Sequence, residues 1–275
     1  MASQLTFIGA GNMAGAIFAG LVDSGYPADA ITATATHQQA LERHRARYGI
    51  NITTDNAAAV SEADVVVLAV KPQIMREVCE PLQEALQISR PLMISVAAGL
   101  TVDTLTRWLG DDSLAIIRCM PNTPAMVGEG AMGLYATAAV SEAQRELAGE
   151  ILSAVGMVEW VEEEGLLNAV TAIAGSAPAY FFYMYEALEQ AGVARGLPQE
   201  SARRLALQTA FGAARMARES EFDPQTLKRQ VMSPHGTTEE AIKSLENAGF
   251  EKMIDNATLA CFKRAESLAR ELDDQ

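Results

Sequence analysis

Cysteine and histidine are scarce in this chain, three of each in 275 residues. Cys79, Cys119 and Cys261 are odd in number and far apart, which excludes a disulfide framework and a paired-cysteine metal site. His37, His44 and His235 are equally scattered, so no metal is expected. Basic residues are also few: 21 Lys and Arg against 35 Asp and Glu, a formal charge of -14. That balance argues against non-specific binding to nucleic acid or to an anionic membrane. A small anion seated in its own pocket is not excluded by it. No uninterrupted apolar run reaches the length of a membrane span, and even VTAIAGSAPAYFFYMY is broken by Gly175 and Pro178. The start, MASQLTFIGAGNMAG, carries no positively charged leader. No signal peptide is therefore expected, and a reducing, cytoplasmic compartment is the expectation.

What the chain does have is an apolar fraction of 49% with 20% charged residues, enough for a proper core. Its rhythm changes part-way. Up to about residue 162, β-branched runs alternate with helical stretches. LTFIG, AITATA, ADVVVLAV, LMISVAA and LAIIRCM are strand candidates, and AMGLYAT and GMVEWVE add strands at the far end. Such alternation predicts βαβ units and an α/β, Rossmann-like, mostly parallel sheet. From 163 to 275 the strand-like runs vanish, and helices are punctuated by turns such as GVARGLPQ, ESEFDPQ and SPHGTT. The stretch from about 164 to 192 reads as one long helix, interrupted or bent near Pro178.

The first strand runs into Gly9-Ala10-Gly11-Asn12-Met13-Ala14 and then a helix. This is the dinucleotide spacing GxGxxA. The first glycine permits the tight turn, the second lets a pyrophosphate approach the backbone, and a small third residue allows close helix packing. The helix terminus then offers free amides to the phosphates. NAD sites usually carry Asp or Glu at the end of the second strand. Here that place reads Ala33-Thr34-Ala35-Thr36-His37-Gln38, with no carboxylate. A 2′-phosphate would meet no repulsion and could bond to Thr36 and His37. NADPH is thus favoured, with NADH also possible.

Two further loops fall at carboxyl ends of strands, where α/β sheets bind ligands. Ala69-Val70-Lys71-Pro72 and Ala97-Ala98-Gly99 are small enough for a nicotinamide and its ribose to lie on the backbone. Lys71 either reaches a ribose hydroxyl or faces water. In Met120-Pro121-Asn122-Thr123-Pro124, Asn122 is either an amide partner for cofactor or substrate, or part of a rigid turn.

The long helix after residue 164 contains no lysine, histidine or arginine. Reducing a ketone requires a proton donor for the forming alkoxide. Hydride addition to a protonated imine gives a neutral amine directly, so the absence tilts the chemistry from C=O towards C=N. Further on, QVMSPHGTT precedes a helix. Ser233, Gly236, Thr237 and Thr238 form either an ordinary cap or an anion receptor made of free amides and hydroxyls. In the second case Thr238 can present its hydroxyl to a substrate nitrogen.

LKRQVMSPHGTTEEAIKSLENAGF resembles the signature region of the pyrroline-5-carboxylate reductases. GAGNMA, AVKPQ, SVAAGLT, RCMPNTPAMVGEG and AGSAPAYF lie in that family's order and spacing. The resemblance implies NAD(P)H-dependent reduction of 1-pyrroline-5-carboxylate to L-proline, the last step of proline biosynthesis. A reductase of a related cyclic imine acid, or a non-catalytic NADP-binding regulator, is the alternative. Carried over, it puts the cofactor phosphates on Gly9 through Met13 and the adenosine ribose or its phosphate near Thr34 to His37. Asn56 becomes a further cofactor contact, and Ala69 to Pro72 and Ala97 line the nicotinamide side. It gives the substrate carboxylate to Ser233, Gly236 and Thr237, the imine nitrogen to Thr238, and a place near the substrate to Glu221. It further implies that the helical half forms a homodimer, possibly within a decamer, with the site shared between one subunit's sheet and its partner's helices. Two departures stand out. His235 occupies a slot where the family commonly has glycine, and the stretch just after the second strand lacks the arginine seen in some NADPH-preferring members.

Overall fold

The computed structural model describes residues 2–273. Eight strands form one sheet: β1 (Leu5–Ile8), β2 (Ile31–Thr34), β3 (Asn51–Thr53), β4 (Val65–Leu68), β5 (Leu92–Ser95), β6 (Ile116–Met120), β7 (Gly130–Ala136) and β8 (Gly156–Trp160). Their order is β3-β2-β1-β4-β5-β6-β7-β8. Every pairing is parallel except β6 with β7.

The buried run Val65-Val66-Val67-Leu68 shows why the sheet is covered twice. Successive side chains point to opposite faces, so an unbroken apolar strand needs partners on both. Val65 and Val67 join a cluster with Ile17 and Phe18 of α1 (Asn12–Asp23), Leu41 of α2 (Gln38–Tyr48) and core residues after β7. Val66 and Leu68 join a second cluster on the other face. That cluster holds Val60 of α3 (Asn56–Ser61), Met75 of α4 (Met75–Cys79), Leu86 of α5 (Gln83–Ser89) and Leu105 and Trp108 of α6 (Val102–Leu109). The helix α7 (Glu142–Ser153) covers the first face with Ile151 and Leu152, and starts in a Ser141–Gln144 capping box.

Strand β3 is absent from the sequence reading, because three residues are too short for a period to register. The helix expected over 164–192, interrupted or bent near Pro178, is divided there. It consists of α8 (Leu166–Val170), a π-helical turn Thr171–Gly175, and α9 (Ala177–Ala194). The interruption falls one turn before Pro178, which has no N–H to give to the carbonyl of Ala174.

The chain forms two compact units, residues 1–176 with 261–275, and residues 177–260. The second contains α9, α10 (Gln199–Glu219), α11 (Pro224–Val231), α12 (Thr237–Asn247) and the beginning of α13 (Phe250–Asp273). Within it α9 and α10 approach closely at Gly192 and Ala202, and Arg203 pairs with Glu189 at 2.8 Å. Much of its apolar surface stays uncovered in one chain: Phe182, Phe211 and Val231 are 63%, 62% and 64% exposed. Exposure on that scale marks an association surface. The far end of α13 belongs to the first unit. There Leu268 and Leu272 pack beneath Gly99, and Arg107 holds Asp273 at 2.6 Å. No helix among the described residues is long and apolar enough to cross a membrane.

Candidate cofactor and substrate sites

The glycine loop leaves β1 with Gly9 at φ +96°, a left-handed conformation that side chains rarely adopt. A Cβ there would lie 2.8 Å from Val70 Cγ1 and 3.0 Å from the Ala69 carbonyl oxygen. The loop is thereby pressed against the end of β4, so two of the segments singled out in the sequence meet. The Gly9 amide also donates to the Thr34 carbonyl at 3.1 Å, which ties in the end of β2. Gly11 is the N-cap of α1 and makes no side-chain cap, and among the described residues nothing lies within 4 Å of where its Cβ would be. Asn12 opens the helix on the surface, while Met13 packs against the core and Ala14 is fully buried. The first turn carries no acidic residue. An uncapped helix end with open space before it is what a pyrophosphate requires.

One contributor here was not read from the sequence. A ring nitrogen of His44 donates to the Ala10 carbonyl at 3.2 Å, and the ring stands edge-on to Phe18 at 4.9 Å. His44 therefore braces the loop from the body of α2. Its spacing of 34 residues from Ala10 left no local signal.

At the end of β2, Thr36 and His37 are exposed, and His37 caps α2 without using its ring. Thr34 Oγ1 is the one buried side-chain polar atom without a hydrogen-bond partner among the described residues. Asn56 begins α3, and its carboxamide has no partner among those residues. It lines an open groove of about 480 Å³ together with Thr54, Glu77 and Val78. Unpaired polar groups around the glycine loop, with no carboxylate at Thr36 or His37, fit a phosphorylated dinucleotide.

Lys71 is exposed, and Pro72 begins a short 3-10 turn after β4. Ala97 is buried at the end of β5. Gly99, at φ +81°, lets the chain pass over Leu268 and Leu272. Glu164 anchors the same loop, accepting from the Val102 amide at 2.6 Å and from Arg118 at 2.7 Å. Neither Glu164 nor Arg118 stood out in the sequence. The Asn122 carboxamide is engaged by the fold at both ends: it accepts from the Ala131 amide at 3.0 Å and donates to the Ala174 carbonyl at 3.1 Å.

In the helical unit, α12 begins at Thr237 with Gly236 as an N-cap that provides no side chain. A Cβ on Gly236 would come within 2.9 Å of the Ser233 carbonyl oxygen and closer still to its hydroxyl, so the turn admits only glycine. Glu239 reaches back to the amide of His235, before the helix, and leaves the amides of Thr237 and Thr238 free among the described residues. Ser233 and Thr237 are exposed and Thr238 is half-buried. Glu239 and Glu240 in the first turn would repel an anion, but Lys243 pairs with them at 3.1 and 3.0 Å. The hydrogen bond from Lys243, aided by that from the His235 amide, holds the Glu239 carboxyl below its ordinary range. His235 takes φ +59°, a left-handed conformation in a residue other than glycine. Glu221 is exposed in the bend before α11, whereas Asp223 caps that helix through the Thr226 amide at 2.7 Å.

Among the described residues no group of histidines, cysteines and acids could hold a metal. Burial pushes the Cys79 thiol up to about 12 and Cys119 higher still, so neither offers a thiolate. No lysine, arginine or histidine lies on α8, the π turn or α9. These three segments thus supply no cationic acid.

Residues 164–268 match the family described as pyrroline-5-carboxylate reductase dimerisation, and residues 4–99 match NADP oxidoreductase coenzyme F420-dependent. A pyrroline-5-carboxylate reductase of Pseudomonas aeruginosa is 48% identical over 269 residues, covering 98% of each chain. The Vibrio alginolyticus reductase is 44% identical, covering 97% of this chain and 98% of its own. Among solved structures, the Coxiella burnetii reductase superposes with a TM-score of 0.95 at 42% identity, covering 98% of this chain and 99% of its own. The Plasmodium falciparum pyrroline carboxylate reductase with NADP bound gives 0.84 at 28% identity, covering 97% and 98%.

Proposed function

The chain belongs to the pyrroline-5-carboxylate reductase family, and we propose a division of labour among its residues for that family's reaction. The protein is an oxidoreductase that reduces 1-pyrroline-5-carboxylate to L-proline with NADPH, and it acts as a homo-oligomer. The reading rests most heavily on one observation, the uncapped start of α12 behind Ser233 and Gly236.

Bound NADPH supplies the hydride. Gly9, Ala10, Gly11, Asn12 and Met13 hold its phosphates on the amides of α1. Thr36 and His37 receive the 2′-phosphate, with Thr34 behind them, and Asn56 takes the adenosine side. Ala69, Val70, Lys71, Pro72 and Ala97 line the nicotinamide side, and Asn122 supports that end of the site. The amides of Thr237 and Thr238, with the Ser233 hydroxyl, bind the substrate carboxylate, and Gly236 keeps the turn narrow enough for them to converge. Glu221 lies near the substrate. Thr238 directs its hydroxyl at the imine nitrogen, orienting the protonated C=N bond and relaying a proton. A threonine hydroxyl is too weak an acid to do more, and the iminium asks no more. Fixing the carboxylate makes the transfer chiefly a matter of positioning.

The dinucleotide-binding part extends to residue 162 and the substrate and dimerisation part from 163. Dimers through the helical part are grouped into a decamer, so that one subunit's sheet works with a partner's helices. The compartment is the cytoplasm. The deciding assay compares NADPH and NADH oxidation with pyrroline-5-carboxylate and with a six-membered cyclic imine acid. Rapid turnover of the five-membered substrate with NADPH supports the reading. Equal turnover of the larger ring favours a broader imine reductase, and cofactor binding without oxidation favours a regulator.

A further inference from the structure

Within the first unit, the π turn Thr171–Gly175 lies on the carboxyl end of β6. A Cβ on Gly175 would come within 2.6 Å of Met120 Cε. The register pairs Ser95 with Arg118, which sets Met120 beside Ala97 at the ends of neighbouring strands. The turn closes with the Ser176 amide donating to the Thr171 carbonyl at 2.8 Å.

One carbonyl in this turn is deprived of its helical partner by the sequence itself. In an α-helix the Ala174 carbonyl would accept from residue 178, and residue 178 is proline. An acceptor taken from water and left without a donor is costly, and structures supply one from elsewhere; Ala174 is partly buried. Here the donor is the Asn122 carboxamide, 3.1 Å away, whose other end is fixed by the Ala131 amide at 3.0 Å. Asn122 is only 7% exposed, so water is a poor substitute.

We propose that Asn122 is a positioning residue of the active site: it replaces the hydrogen-bond donor that Pro178 lacks, and so holds the π turn against the carboxyl end of β6. This deepens the function proposed above and rests on that reading for placing the hydride acceptor near the ends of β4 to β6. Asn122 acts through Ala174 and touches neither cofactor nor substrate. Its removal therefore loosens the carboxyl ends of β5 and β6, beside which that reading puts the hydride acceptor, and spares the glycine loop.

The test uses the full-length protein and Asn122→Asp, which keeps the acceptor for Ala131 and loses the donor to Ala174. Hydrogen exchange in the absence of ligand is expected to quicken at residues 171–177. The KM for pyrroline-5-carboxylate is expected to rise about tenfold, the scale of one lost buried bond, while the Kd for NADPH stays within about twofold. Pro178→Ala gives Ala174 a backbone donor, so adding it to Asn122→Asp should restore protection of the turn. Should Asn122→Asp not fold, Pro178→Ala alone must increase protection of residues 171–177, and unchanged protection overturns the proposal. A rise in NADPH Kd with unchanged substrate KM also overturns it, since Asn122 would then contact the cofactor. So does strictly additive behaviour of the two substitutions. If the wild-type protein failed to reduce pyrroline-5-carboxylate, the functional reading would fail, while the exchange data would still report on the clamp.

Discussion

The Glu239 carboxylate accepts a hydrogen bond from the backbone amide of His235, closing the loop in front of α12 while leaving the amides of Thr237 and Thr238 unengaged among the described residues. In an ordinary capping box the glutamate and a cap hydroxyl satisfy the helix start between them. Here the cap is Gly236, without a side chain, so the helix end keeps its donors for a ligand.

Thr238→Ala is expected to lower kcat by about 10²-fold, the lower range for a group that assists proton transfer. NADPH binding should be unchanged by fluorescence titration. A collapse of cofactor affinity with turnover of the bound complex intact would remove Thr238 from the imine.

The two glycines of the cofactor loop should separate folding from binding. Gly9→Ala places a Cβ against Val70 and the Ala69 carbonyl at φ +96°, and should cost about 1–3 kcal/mol of stability in a denaturant titration. Gly11→Ala meets nothing among the described residues, so its melting temperature should be unaltered. Its NADPH Kd should nevertheless rise about tenfold or more, because the methyl group enters the space a pyrophosphate needs. Unchanged NADPH affinity in Gly11→Ala would move the phosphates elsewhere.

His235 is held at φ +59°, which costs a non-glycine residue on the order of 1–2 kcal/mol. His235→Gly relieves that strain but loses unfolded-state order, for a net gain of about 0.5 kcal/mol. His235→Val should destabilise, since a β-branched residue tolerates the left-handed region poorly. Thermal unfolding of the three proteins should rank them Gly, His, Val; the reverse order would mean that the loop is not strained.

At the end of β2 the coenzyme choice depends on the missing carboxylate. Thr36→Asp should reduce the kcat/KM ratio of NADPH to NADH by about tenfold or more, through repulsion of the 2′-phosphate. An unaltered ratio would relieve Thr36 of any role in selection.

The elements that the sequence made legible are those with a local signature. Buried runs such as Val65 to Leu68 and the turn at Gly9 carry their own period or spacing. The uncapped glycine at 236 could be anticipated in the same way. What could not be read depends on partners distant in the chain. The three residues of β3 acquire strand character only by pairing with β2. The π turn follows from Pro178 acting on Ala174 together with a donor from Asn122, 52 residues earlier. Glu164 with Val102, His44 with Ala10, and Leu272 with Gly99 are likewise invisible until the sheet brings them together. At His235 the family's usual glycine was the hint, and the left-handed backbone supplies its physical reason.

The central claim, that the open start of α12 is a carboxylate receptor, is tested most directly by comparing kcat/KM for pyrroline-5-carboxylate and for 1-pyrroline, which lacks the carboxylate. Loss of charge-assisted hydrogen bonds to two amides and a hydroxyl should reduce kcat/KM by about 10²-fold or more. Thr237→Pro, tolerated at a first helical position but without an amide hydrogen, should narrow that gap. Equal rates on the two imines would contradict the account.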